Sequence, residues 1–134
     1  MELGLNLEGL EVKEGFEVLP SNTYEFRVEK IEKKVSRAGK DYLNWQLKVI
    51  NDPDWNNTTV FHITSLSEKA LQMPTGIVAM WKALGLPLNE VNTTDAIGLE
   101  VTLDIGQETF QVTKDDGSKE DRLQNRVERV HFPD

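Results

Sequence analysis

Seven basic residues fall within the window 27–48: Arg27, Lys30, Lys33, Lys34, Arg37, Lys40 and Lys48. Only Glu29, Glu32 and Asp41 oppose them there, so the window carries +4 in a chain of net charge −8, and everything else carries −12. Ammonium and guanidinium groups gathered against the chain's own bias suit a ligand with repeated anionic groups, because each neutralised phosphate adds to affinity. Tyr42, Asn44 and Gln46 are interleaved with the last of these cations. A phenol ring can stack on a base and amides can hydrogen-bond it, which is what single strands require. The plain alternative is that lysines decorate a strand edge to discourage edge-to-edge pairing. The reversed local sign and the interleaved ring and amides favour a ligand.

Residues for catalysis are sparse. The chain has no cysteine, which removes thiolate nucleophiles, disulfides and thiolate metal sites. His62 and His131 are the only imidazoles, and neither stands in a zinc-binding spacing. No glycine-rich phosphate or dinucleotide motif and no Gly-x-Ser-x-Gly is present. Asp52 and Asp54 could hold a divalent ion, and with Asp104 they give a metal-dependent nuclease as a distant reading. Their loop lacks the further oxygen ligands of a calcium site, so a turn is the simpler account. No enzyme, metal or cofactor is expected.

The elements that position the cations follow from periodicity. Tyr24, Phe26 and Val28 alternate with charged residues, and the phase then slips so that Ile31 and Val35 continue the apolar side. A single slip in a period-two pattern predicts a β-bulge. Ser36-Arg-Ala-Gly-Lys40 supplies a turn in which Gly39 takes positive φ. Leu43, Trp45, Leu47 and Val49 then alternate with Tyr42, Asn44, Gln46 and Lys48, splitting the second strand into a core side and a ligand side. Trp45 is thereby assigned to packing. Trp55, alone in the loop Asn51–Asn57, either tucks under the body or stacks on ligand. A third strand spans Thr58–Leu66, with Phe61 and Ile63 assigned to the core and His62 to the opposite face.

One helical pattern follows, with Ile77, Met80, Trp81 and Leu84 at helical spacing, Ser67 or Thr75 able to cap, and Gly85 and Pro87 to end it. Leu99–Ile105 alternates as a fourth strand that Thr109–Thr113 can continue past a bend at Gly106. Asp115-Asp-Gly-Ser118 makes a hairpin turn, and Arg122–Phe132 closes the sheet. Arg122, Arg126 and Arg129 form a weaker basic stripe, of which Arg126 could complete a groove.

The expected fold is all-β, a five-stranded OB-fold (Greek-key barrel) with one α-helix between strands 3 and 4, although other small barrels share this order. Residues 1–19 form an acidic N-terminal arm, or a frayed end, and 20–134 the domain. A length of 134 residues with 38% hydrophobic and 28% charged residues suits one soluble domain. No run is long and apolar enough for a membrane span, and a cytoplasmic location is the default.

Several motifs together resemble a known family. Leu5-Asn-Leu-Glu-Gly-Leu10, Gly15-Phe-Glu-Val-Leu-Pro20 and Thr23-Tyr-Glu-Phe-Arg-Val28 are similar to the start of bacteriophage OB-fold single-stranded-DNA-binding proteins. Ser36-Arg-Ala-Gly-Lys40, Trp81-Lys-Ala-Leu-Gly85 and Asn125-Arg-Val127 also match in order. The resemblance implies sequence-tolerant binding of single-stranded DNA in phage replication or recombination, in the host cytoplasm, as a homo-oligomer. Many such proteins end in an acidic tail that recruits partners, whereas this chain stops at His131-Phe-Pro-Asp134, which puts tail-mediated recruitment of replication proteins in doubt.

The expected nucleic-acid contacts are Arg27, Lys33, Lys34, Arg37, Lys40 and Lys48 to phosphates and Tyr42 with Trp55 to bases. Asn44, Gln46, His62 and Arg126 add polar contacts. The competing reading is an acidic protein-interaction module that binds a host or phage protein, or mimics DNA, with no nucleic-acid affinity.

Overall fold

Alternating apolar and charged residues build the first strand, β1 (Asn22–Val35), which folds back on β2 (Asp41–Ile50). The computed structural model describes residues 18–133. The turn between the strands closes through Gly39 N–H to the Ser36 carbonyl at 2.9 Å and Ser36 N–H to the Lys40 carbonyl at 2.8 Å, with Gly39 at φ 77°. That left-handed backbone is strained for any residue with a Cβ, so the glycine is what keeps the turn tight. The expected phase slip is present as a register shift between Val28 and Lys30.

β3 (Thr59–Ser65) pairs with β2, β4 (Glu100–Thr113) pairs with β1, and β5 (Lys119–His131) pairs with β4. The result is a five-stranded antiparallel open sheet in the order β3-β2-β1-β4-β5. β1 is central, but it pairs with β4 only over Asn22–Arg27. Beyond the bulge it has β2 alone as a neighbour, so there β1 becomes the edge of a three-stranded β1-β2-β3 ribbon. Thr109–Thr113 does continue β4 past Gly106, with an irregularity between Asp104 and Ile105.

One short helix, α1 (Ile77–Ala83), lies between β3 and β4 in the chain. Gly76 caps its start without any side-chain hydrogen bond, in place of the expected Ser67 or Thr75. A Cβ at Gly76 would sit 2.5 Å from the Ala70 carbonyl oxygen, too close for any other residue. At the other end Leu86 N–H reaches the Trp81 carbonyl and Gly85 N–H the Lys82 carbonyl, with Gly85 at φ 75°. This is the paired closure that glycine after a helix permits.

The core is made by Phe26, Val28, Leu43, Trp45, Leu47, Val49, Met80, Trp81, Leu103 and Ile105 with their neighbours. Trp45 is fully buried, donates its indole N–H to Thr64 Oγ1 at 2.9 Å, and meets Trp81 edge-on at 6.1 Å. Shifting β2 by one residue would expose Leu43, Leu47 and Val49, each worth about 1.5–3 kcal/mol, so its two faces are firmly fixed.

β3 departs from the sequence expectation. Val60, His62 and Thr64 point inward, while Phe61 and Ile63, expected in the core, are 45% and 61% exposed. The buried indole of Trp45 supplies the physical reason, because it needs an acceptor and Thr64 delivers one only if that face turns in. Val35 also departs, being exposed at the ribbon's end while Ile31 still packs on the core. Leu19, at the end of the proposed arm and expected to be anchored there, is fully buried, and Asn125 bonds both its N–H and its carbonyl. Residues 1–17 of the proposed arm lie outside the described residues.

Candidate nucleic-acid interface

Because β2 buries Leu43, Trp45, Leu47 and Val49, its other side must present Tyr42, Asn44, Gln46 and Lys48. All four are half-buried there. Pairing registers show which residues flank them. Lys48 lies between Arg27 of β1 and Thr59 of β3, and Gln46 between Lys30 and Phe61. Asn44 lies between Glu32 and Ile63, and Tyr42 between Lys34 and Ser65. Directly paired residues project to one side of a sheet, so these four rows form one outward face. Cations line its β1 border, amides and a phenol its middle, and apolar side chains its β3 border.

The charges on this face are of two kinds. Arg27 stands directly across from Lys48, and neither forms an ion pair among the described residues. Like charges in that position destabilise a sheet, so the pair does not brace it. On its other side Arg27 pairs with Glu100, where the face turns acidic. Lys30 and Lys34, in contrast, both meet Glu32, at 2.5 and 3.5 Å. The hydrogen bond from Lys30, and then its charge, hold the Glu32 carboxyl below the usual carboxylate range. Arg37 and Lys40 sit exposed in the turn that ends the ribbon and also lack ion pairs among the described residues.

Not every expected contact joins this face. Lys33 pairs with Leu43, on the opposite side from Lys34, and lies 3.8 Å from Asp41. His62 is a correction: it is buried with the inward side of β3, and its Nε2 donates to the Thr75 carbonyl at 2.8 Å. Burial lowers its pKa, which keeps the imidazole neutral. Trp55 is half-buried against the core, so of its two readings packing is the observed one. Its loop is shaped by Asp52 Oδ1, which accepts the N–H groups of Asp54 and Trp55, both at 2.9 Å. Asp104 lies elsewhere, bonded to Thr23 and His131.

Arg126 projects from β5, where Glu108 and Glu128 lie 3.4 and 3.7 Å away. It shares with Phe61 and Ile63 a cleft of about 330 Å³ between the two sheet edges, so β5 does border the face. Three residues of this face escaped the sequence reading. Phe61 and Ile63 were assigned inward, and nothing in Thr58–Leu66 alone separates its two alternating sets. Lys30 was masked by the bulge, and only allowing for the slip places it beside Gln46.

Strand order, helix and face define a small antiparallel β protein with a mixed cationic, amide and apolar surface. The chain belongs to the family described as Protein of unknown function (DUF669), whose model matches residues 6–121. No curated protein matches it.

Proposed function

We propose that this protein binds single-stranded DNA, with little regard to sequence, along the outward face of β1, β2 and β3. The observation that carries the proposal is the four-row register, which brings Arg27 and Lys48 (without ion pairs among the described residues), the amides of Asn44 and Gln46, Tyr42 and the exposed Ile63 onto one surface. Cations track a sugar–phosphate backbone, and flat or apolar groups beside them take unpaired bases. Duplex DNA hides its base faces and would leave Tyr42 and Ile63 without a role.

The sheet supports reading the fold as an OB-type barrel. Its edge strands β3 and β5 border one cleft, and ligands of such barrels lie across strands two and three. The motif resemblance to phage single-strand-binding proteins supports the same reading and assigns the activity to phage replication or recombination. Titrating fluorescently labelled oligo-dT with the protein and following anisotropy at low and moderate salt tests it. Salt-sensitive binding is expected, and its absence at low salt would overturn the assignment.

A further inference from the structure

Glu32 occupies an unusual place on the outward face. It follows the bulge, projects between Lys30 and Lys34 two residues to either side, and lies opposite Asn44 in the middle of the rows. Each carboxylate oxygen takes one lysine: Oε1 meets Lys30 Nζ at 2.5 Å and Oε2 meets Lys34 Nζ at 3.5 Å. Two ammonium groups converging on one two-oxygen anion is the arrangement expected around a backbone phosphate.

We infer that Glu32 is a built-in competitor for the phosphate site formed by Lys30 and Lys34, and that it limits how tightly the face holds a nucleic-acid strand. The inference rests on the single-strand-binding reading. An arriving phosphate must displace the carboxylate, which then recovers its own counterion from solution. Part of the cation release that normally drives such binding is cancelled. Arg27, although beside Glu100 in the register, and Lys48 form no ion pair among the described residues, so they grip first and the Lys30–Lys34 site engages at a cost. The result is a strand that can be released, or passed on, without a matching loss of contact surface. A carboxylate serving only to brace the ribbon would do none of this.

The test is Glu32→Gln in the full chain, titrated with labelled oligo-dT over a salt series beside wild type and Glu90→Gln. Glu90 is exposed in the connection after α1, so its substitution makes the same change in net charge away from the face. One unit charge about 4 Å from a phosphate changes binding by about fivefold in water, so Glu32→Gln should bind about fivefold tighter. The slope of log affinity against log salt should steepen by about 0.7, the value for one more neutralised phosphate of a single strand. Glu90→Gln should leave the slope unchanged, and Glu32→Ala repeats the result if Gln disturbs the ribbon. If wild type binds while Glu32→Gln is no tighter, or gains no more than Glu90→Gln, Glu32 is a brace and the inference is overturned. If neither wild type nor Glu32→Gln binds, the single-strand reading itself fails and takes this inference with it.

Discussion

Substituting Thr64 by valine tests the orientation of β3, on which the apolar border of the face depends. Thr64 is 1% exposed, and its Oγ1 is the acceptor for the Trp45 indole N–H at 2.9 Å inside the core. Valine keeps the shape and removes the acceptor, leaving a buried donor unsatisfied at about 1–3 kcal/mol. The added methyl recovers part of this by apolar burial, so a net loss of about 1–2 kcal/mol is expected. For a domain of this size that corresponds to a fall in Tm of about 4–8 °C. Ile63→Thr is the matched comparison: it keeps β-branching and lies 61% exposed, so it should cost no more than about 0.5 kcal/mol. Thermal unfolding followed by circular dichroism measures both. An unaffected Thr64→Val beside a strongly destabilised Ile63→Thr would show that β3 faces the other way, and Ile63 would leave the proposed interface.

Two further outcomes follow from the same geometry. Tyr42→Ala should weaken oligo-dT binding by about 1–3 kcal/mol in an anisotropy titration, with the fold retained by far-UV circular dichroism, because its ring is the proposed stacking group of the face. Denaturant unfolding at a series of pH values should show His62 losing stability for the fold as acid is added. Burial lowers its folded pKa from the ordinary imidazole value of 6.5, so between that value and its folded pKa the unfolded chain binds the extra proton. Stability is therefore full above about pH 6.5 and declines below it, before the carboxylates titrate. His62→Gln should flatten that decline, and an unchanged pH profile would contradict the buried neutral imidazole.

Much of this architecture was legible because burial forces it. In β2 one alternating set is Leu, Trp, Leu and Val and the other is polar, so only one register hides the apolar set. The slip between Val28 and Ile31 announced the bulge, and Gly39 and Gly85 marked turns that need positive φ. β3 was not legible because both of its alternating sets contain residues that can be buried. The decision lay outside the strand, in the indole N–H of Trp45, and a pattern of hydrophobicity does not record which buried donor needs an acceptor. The same blindness moved His62 onto the face and removed Phe61 and Ile63 from it. Lys33 and Lys34 are equal in sequence, and only the register beyond the bulge separates the one beside Tyr42 from the one beside Leu43. Charge identified the hairpin, whereas pairing identified which of its cations share a face.

The most direct test of the central claim is the salt dependence of oligo-dT affinity for the wild-type chain. Arg27, Lys48, Arg37 and Lys40 are the hairpin cations without an ion pair among the described residues. Four neutralised phosphates predict a slope of about −3 in log affinity against log salt, or about a 50-fold loss between 50 and 200 mM. Binding at low salt that weakens to about that degree is the result expected of this face. No binding at low salt, or an affinity indifferent to salt, would contradict it and return the chain to the reading of an acidic protein-interaction module.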